Sequence, residues 1–184
     1  MEPESRRLFV GVPLAAELLG FVNVAQAALP ALSDIRLTRR DQLHVTLCFL
    51  GEVGGEATER ATRVLSEVPC TMGGVVSLGG YICLPSAARV RVVALAIKDG
   101  EGILTALFER VASGLEREGL FLREARPFRP HLTIARLRRP GKLGLSADMP
   151  EAAFEIRSVC LYESVLSREG ARYQVLQAVE FDNQ

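Results

Sequence analysis

Two histidines are the side chains of this 184-residue chain best suited to proton transfer near neutral pH. They are His44 and His131, the sequence holds no third histidine, and each begins a segment of the same form, HVTL at 44–47 and HLTI at 131–134. An imidazole has an unperturbed pKa close to neutrality, so it can donate or accept a proton at working pH. Two of them in matching segments indicate an acid and a base that act on a shared substrate.

A threonine follows each histidine at a distance of two residues. Side chains alternate between the two faces of a strand, so His44 shares a face with Thr46, and His131 shares one with Thr133. The apolar residues between and after them, Phe49 included, then point into the core. If the two strands meet, two imidazoles and two hydroxyls surround one cleft, a set that suits phosphate. The threonines would bind its oxygens, one histidine would activate water and the other would protonate the leaving oxygen, in either assignment and without a metal.

The composition is that of a globular protein with one domain. Hydrophobic residues make up 48% of the chain and charged residues 24%, and the formal net charge is zero. Strong, non-specific binding to nucleic acid needs an excess of Lys and Arg, which this sequence lacks. The four cysteines form no CxxC pair, so we expect no zinc site and a reduced, cytoplasmic setting. The N-terminal region fits neither a signal peptide nor a membrane span, and we expect no membrane partner.

Helices and strands are predicted to follow one another in mixed order. Apolar stripes at helical spacing predict helices over 14–29, 57–68 and 104–115. Apolar runs predict strands over 8–12, 43–50, 75–83, 90–97, 132–137, 154–166 and 173–179. This order favours an α+β fold with largely antiparallel sheets. A helix precedes a His-x-Thr strand in each half, so we expect residues 1–184 to form a single domain with two pseudo-symmetric lobes, each contributing one motif.

Four segments of the sequence resemble a known family. They are residues 7–10 (RLFV), 43–51 (LHVTLCFLG), 126–136 (RPFRPHLTIAR) and 159–176, and together they span nearly the whole chain. The sequence resembles the two-histidine (2H) phosphoesterase superfamily, and within it the RNA 2′,3′-cyclic phosphodiesterases, also called 2′-5′ RNA ligases.

The resemblance implies both a fold and a reaction. The fold would be bilobal and α+β, with two largely antiparallel sheets flanking a central cleft and the helices outside. The reaction would be hydrolysis of the 2′,3′-cyclic phosphate of RNA ends or nucleotides to a 2′-phosphate, by a monomer without cofactor or metal. His44 would be the proton donor and His131 the proton acceptor, while Thr46 and Thr133 would hold the phosphate.

Four further residues are candidates for substrate contacts. Arg136 follows the second motif as in the family, but strict alternation turns it away from the histidine unless a bulge or the strand end redirects it. Arg129 shares the face of His131 on the same logic, and either arginine could reach the phosphate. Family members often carry an aromatic residue before the first motif, where this chain has Ile-Arg-Leu-Thr at 35–38. A base could instead stack on Phe49 or Phe128.

Basic residues continue beyond the second motif. Arg136, Arg138, Arg139 and Lys142 form a run that either contacts an RNA backbone near the cleft or is simply solvated. Arg89 and Arg91 alternate with valines, so one polar face of their strand either lines the cleft or meets water.

Other functions are compatible with the same residues. The reverse reaction, 2′-5′ ligation of RNA, uses the same acid and base, although abundant water favours hydrolysis. Small cyclic nucleotides and 2′-5′ oligonucleotides are alternative substrates. A module that binds RNA or nucleotides without turnover is the alternative from a different class.

Overall fold

A single sheet forms the frame of the molecule in a computed structural model that describes residues 5–145, 149–167 and 170–182. Its strands are β1 (Arg6–Pro13), β2 (Ile35–Leu37), β3 (His44–Val53), β4 (Gly74–Ser86), β5 (Arg89–Lys98), β6 (His131–Gly141), β7 (Ala152–Ile156), β8 (Ser158–Ser167) and β9 (Gly170–Glu180). The α-helices are α1 (Leu19–Ala27), α2 (Gly55–Ser66) and α3 (Ile103–Arg117). None of these helices is long and apolar enough to cross a membrane.

The strand order is β7-β4-β5-β6-β3-β1-β8-β9, with β2 added beside β6, and every described pair is antiparallel. The predicted α+β, antiparallel fold is therefore confirmed. The two expected sheets are the two halves of this one sheet. They join between β3 and β6 through the single register pair of Val45 and Leu132, so each half brings one motif strand to the centre.

The helices pack on the sheet through the predicted apolar stripes. Helix α2 lies against β1, β8 and β9, α3 lies against β3 and β4, and α1 lies against β6. Helices α2 and α3 also touch one another, because Gly114 leaves room for Val64: a Cβ at Gly114 would lie 2.5 Å from the Val64 Cγ1. The core thus fills one face of the sheet, which leaves the motif side chains on the other.

A β-bulge follows the threonine in each motif strand. Pairing of β3 with β1 skips Leu47, and pairing of β6 with β5 skips Ile134. In each strand the skipped residue and the next one are both buried, so the fifth residue after each histidine returns to the cleft face. These residues are Phe49 and Arg136. The expectation that Phe49 points into the core is wrong for this reason, since its side chain is 48% exposed.

Two other element predictions need correction, and one strand was missed. The predicted helix over 14–29 starts with a separate 3-10 turn at Ala16–Leu18 before α1. The predicted strand over 154–166 is two strands, because the chain leaves β7 at one edge of the sheet and enters β8 beside β1. Strand β2 was not predicted, because its three residues show no alternation that could reveal them.

Candidate active site

The two motifs meet at the centre of the sheet. Val45 pairs with Leu132 in antiparallel register, so the chain directions of the motifs are related by a local two-fold axis through this pair. The histidine of each motif is thereby placed beside the threonine of the other, on one face. A single chain therefore brings both imidazoles and both hydroxyls to neighbouring positions of one face. The cleft beside them is lined by His44, Thr46 and Thr133, and His131 is not among its described lining residues.

A main-chain carbonyl orients each histidine ring. The Nδ1–H of His44 donates to the carbonyl oxygen of Gln42 (2.7 Å), and that of His131 donates to the carbonyl oxygen of Arg129 (2.8 Å). A carbonyl only accepts, so Nδ1 carries the hydrogen in both rings and Nε2 is left for chemistry. The Nε2 of neutral His44 accepts a hydrogen bond from the hydroxyl of Thr46 at 3.0 Å.

Aromatic rings surround His44. The ring centroids of Phe9, Tyr173 and Tyr162 lie 4.7, 5.2 and 6.0 Å from that of the imidazole. The pKa of His44 is lowered from 6.5 to about 4, chiefly because burial disfavours the charged form, and the positive charge of Arg136 contributes to this lowering. The hydrogen bond to the Gln42 carbonyl acts in the opposite direction. His44 is therefore neutral at pH 7 in the free protein.

Gly11 leaves the space that the His44 ring uses. It lies on β1 opposite Thr46, and a Cβ here would be 2.8 Å from the Val45 carbonyl oxygen and 3.3 Å from the His44 Cδ2. No larger residue fits without moving the main chain or the ring.

A cleft of about 410 Å³ opens beside the motifs. The described residues that line it are Arg7, Phe9, Arg36, Leu37, Thr38, Gln42, His44, Thr46, Phe49, Thr133, Arg136, Ser164, Leu166, Ala171 and Tyr173. Three of these residues are arginines and none is acidic, so the cleft suits an anion. The guanidinium of Arg7 lies 5.1 Å from the ring centroid of Phe49 at its wall.

The structure brings most of the predicted site residues together. Thr46, Thr133, Phe49 and Arg136 line the cleft with His44, and Arg136 does so because of the bulge that its prediction required.

Two predicted contacts are placed elsewhere. Phe128 stacks on Phe108 of α3, with ring centroids 4.3 Å apart and planes at 4°, and it does not line the cleft. The structure gives Phe128 a packing role on α3, and its stacking on a base stays a prediction. Arg129 is exposed and reaches the site through the carbonyl that holds His131. A phosphate contact by the guanidinium of Arg129 stays a prediction.

Gln42 is a site residue that the sequence reasoning missed. Its carbonyl holds the ring of His44, its side-chain Nε2 donates to the carbonyl of Ala171 on β9, and its Oε1 accepts the N–H of Arg39. Gln42 thus links the hairpin of β8 and β9 to the histidine. A polar residue two positions before a strand histidine was the only available signal.

Phe9 and Tyr173 were also missed as neighbours of His44. Both lie in segments that resemble the family, but their approach to one imidazole depends on strands distant in sequence.

In the described part of the chain, no three His, Cys, Asp or Glu side chains lie close enough together to hold a metal ion. Metal-independent chemistry stays a prediction.

The antiparallel fold and the paired His-x-Thr strands define the class of two-histidine phosphoesterase folds. The chain belongs to the 2′-5′ RNA ligase superfamily, whose family model matches residues 16–167. It is 32% identical to the RNA 2′,3′-cyclic phosphodiesterase of Archaeoglobus fulgidus, over 95% of this chain and 99% of that protein. It is 30% identical to the protein of the same name from Escherichia coli, over 95% and 96% of the two chains.

Solved structures show the same architecture. Escherichia coli LigT in its apo form superposes with a TM-score of 0.79 at 25% identity, covering 98% of this chain and 99% of that chain. The complex of LigT with 3′-AMP gives a TM-score of 0.80 at 26% identity, covering 98% of this chain and 100% of that chain.

Proposed function

We propose that this protein is a metal-independent phosphodiesterase that hydrolyses the 2′,3′-cyclic phosphate of RNA ends to a 2′-phosphate. The observation that carries the proposal is the antiparallel pairing of the two motifs about Val45 and Leu132. This register pairs each histidine with the threonine of the other motif, beside a cleft lined by His44, both threonines and Arg136. Relatives that match nearly the whole chain bear the name of this activity.

The phosphate lies between the motifs. Thr46 and Thr133 donate hydroxyl hydrogen bonds to its non-bridging oxygens, and the guanidinium of Arg136 binds one of them. The terminal base stacks on Phe49, whose half-exposed ring forms part of the cleft wall.

The two histidines divide the proton transfers. Nε2 of His131 takes a proton from water as the water oxygen forms its bond to phosphorus. The bond between phosphorus and the 3′ oxygen breaks, and that oxygen takes a proton from Nε2 of His44. The bond to the 2′ oxygen remains, so the product carries a 2′-phosphate and a free 3′ hydroxyl. Each positioned acid or base contributes about 10²- to 10⁴-fold.

His44 must gain a proton before it can donate one. Its pKa of about 4 in the free protein leaves it neutral, with Nε2 bonded to Thr46. A bound phosphate supplies negative charge beside the ring and takes over the Thr46 hydroxyl, and both changes favour the protonated form. Substrate binding therefore coincides with proton uptake at His44.

The site is complete within one chain, which supports action as a monomer. All four cysteines are free, and this supports a reducing cytoplasmic compartment.

Substitution of each histidine tests the proposal and the assignment of the two roles. His44→Ala and His131→Ala should each lower kcat on a 2′,3′-cyclic phosphate by about 10²-fold or more. A cyclic substrate with sulfur in place of the 3′ oxygen has a leaving group that needs no protonation. This substrate should restore much of the activity of His44→Ala and little of that of His131→Ala.

Three outcomes would contradict parts of this account. Full activity in both variants would rule out the histidine mechanism. Rescue of His131→Ala by the sulfur substrate would show that His131 is the acid and His44 the base. Binding of the cyclic phosphate without turnover by the unmodified protein would favour the non-catalytic binding module.

The reverse reaction is the second candidate, because the matching family is described by 2′-5′ RNA ligation. The same histidines would keep their roles. His131 would take the proton of a 5′ hydroxyl in place of water as the 5′ oxygen bonds to phosphorus. The 3′ oxygen would leave with a proton from His44, so the product is a 2′-5′ phosphodiester. Incubation of a cyclic-phosphate RNA with a second RNA bearing a 5′ hydroxyl measures both products. We expect hydrolysis to dominate, since water is the more abundant nucleophile.

A further inference from the structure

Six cations gather where β5 and β6 lie side by side. They are Arg89, Arg91, Arg136, Arg138, Arg139 and Lys142, and we call them the basic end. All six side chains are exposed. Segments 86–98 and 126–145, which carry them, contain no acidic residue. A chain of zero net charge therefore has a strongly positive region beside the cleft.

The basic end differs from the other charged surfaces in its lack of carboxylate partners. Arg39, Arg123 and Arg157 are each held by an acidic side chain at 2.5–3.0 Å. Among the residues that the structure describes, no ion pair includes a member of the basic end. The carbonyl oxygen of Asp34 accepts the main-chain N–H of Arg138 at 2.9 Å, and the described ion pairs do not include the Asp34 carboxylate. These guanidinium groups are thus available to an external anion.

The basic end is continuous with the cleft. Arg136 lines the cleft, Leu137 is buried in the core, and Arg138 therefore returns to the cleft face of β6. Alternate residues of a strand lie about 6.7 Å apart, a spacing that successive phosphates of an extended nucleic-acid strand can match. The register pairs of β5 with β6, Val92 with Arg136 and Val90 with Gly141, bring the β5 cations to the same end.

We propose that the basic end binds the RNA backbone on the 5′ side of the cyclic phosphate, which selects polynucleotide ends over mononucleotides. The inference rests on the proposed function for its substrate. A cyclic phosphate is the 3′ end of its strand, so all other phosphates lie on its 5′ side. The rest of the RNA chain must therefore extend out of the cleft in one direction. Arg136 at the cleft wall, followed by Arg138 and Arg139 outside it, marks that direction with positive charge. Arginine forms bidentate hydrogen bonds with phosphate oxygens.

The double variant Arg138→Gln/Arg139→Gln tests this proposal. The matched control is Arg63→Gln/Arg117→Gln, which removes the same charge from the exposed surfaces of α2 and α3. The substrates are a 2′,3′-cyclic mononucleotide and a single-stranded oligonucleotide that ends in the same nucleotide. For each enzyme, kcat/KM is measured against salt concentration.

The expected result is specific to the oligonucleotide. The logarithmic salt slope of kcat/KM should fall by about 1.4 in the Arg138/Arg139 variant, from about 0.7 per single-strand phosphate contact. The control should keep the original slope, and both variants should hydrolyse the mononucleotide at the original rate. An equal loss on both substrates, or the same loss in the control, would overturn the proposal.

A binding measurement separates this proposal from the proposed function. Fluorescence anisotropy with an oligonucleotide that ends in a hydroxyl requires no turnover. Weaker binding by the Arg138/Arg139 variant than by the control supports the basic end even if no cyclic phosphate is hydrolysed. An unchanged affinity, together with loss of binding to vesicles of anionic lipid, would assign the patch to a membrane surface and overturn the RNA proposal.

Discussion

At the residue scale, a main-chain carbonyl orients both histidine rings in the same way, and the surroundings of His44 lower its pKa. Each ring donates from Nδ1 to the carbonyl two residues earlier. His44, however, lies against Phe9, Tyr162 and Tyr173, and its burial disfavours the imidazolium. The motif alone therefore does not predict the pKa of His44, because the aromatic rings around it come from other strands.

Buried His44 should make the stability of the protein depend on pH. Its pKa is 6.5 in an unfolded chain and about 4 in the folded protein, so between these values the unfolded state binds more protons. Stability contributed by neutral His44 is present above pH 6.5 and is lost as pH falls toward 4, by about 3 kcal/mol. Denaturant titrations of the protein and of His44→Gln across this range would measure it.

The difference in unfolding free energy between the two proteins reports on His44 alone, since their carboxylates titrate alike. We expect the stability of His44→Gln to fall less steeply with acid. Parallel curves for the two proteins would show that His44 keeps its ordinary pKa in the fold.

At the element scale, the sequence predicted the strands and helices that have strong periodicity. These are the motif strands, the hairpin strands β4 and β5, and helices α2 and α3. The apolar residues that define their patterns are buried in the core. The bulges in β3 and β6 could not be derived in the same way. A strand that inserts one residue breaks the alternation by which its faces are assigned, and only the neighbouring strand shows where this happens.

The bulges have a direct consequence for the site. They direct the side chain of the fifth residue after each histidine toward the cleft. Because both strands have the bulge at the same place, Phe49 and Arg136 occupy equivalent positions of the two motifs. One half thus offers a stacking surface and the other offers a charge. Strict alternation from the histidine places both residues on the core face, so the orientation of their side chains could not be predicted without the bulges.

The segment before His131 is held on α3 by Phe108. The ring of Phe108 stacks on Phe128, the Arg123 guanidinium lies 5.5 Å from its centroid, and Phe121 meets it edge-on at 6.4 Å. Residue 129, whose carbonyl orients His131, directly follows Phe128. The packing of one helix residue therefore supports the orientation of a catalytic ring.

Phe108→Ala should weaken both this packing and turnover. We expect a loss of stability of about 2 kcal/mol, below the 3–5 kcal/mol of a fully buried Phe→Ala change because Phe108 is half-buried. A mobile Arg129 carbonyl should lower kcat more than it changes KM. Denaturation curves and steady-state kinetics on a 2′,3′-cyclic phosphate measure the two effects.

Two further variants define the origin of the effect. Phe108→Tyr keeps the stacked ring and should restore kcat. Leu122→Ala, in the same segment but 86% exposed, should change neither quantity. Unchanged kcat in folded Phe108→Ala would show that His131 does not depend on this packing.

At the scale of the whole molecule, one chain supplies both halves of the site through a narrow junction. The halves of the sheet meet at one register pair, and the cleft lies on the face away from the helices. The sequence predicted two pseudo-symmetric lobes from the repeated order of helix and motif strand. It also showed the basic run from Arg136 to Lys142. It did not show that Arg89 and Arg91 lie at the same end of the sheet, because neither segment alone reveals that β5 pairs with β6.

The measurement that tests the central claim most directly is phosphorus NMR of a short RNA that ends in a 2′,3′-cyclic phosphate, incubated with the protein in EDTA. We predict that the cyclic signal converts to that of a 2′-phosphate monoester. The same sample with His131→Gln should keep the cyclic signal. A 3′-phosphate product, a reaction abolished by EDTA, or an unchanged cyclic phosphate with the unmodified protein would contradict a metal-independent, two-histidine hydrolysis at this cleft.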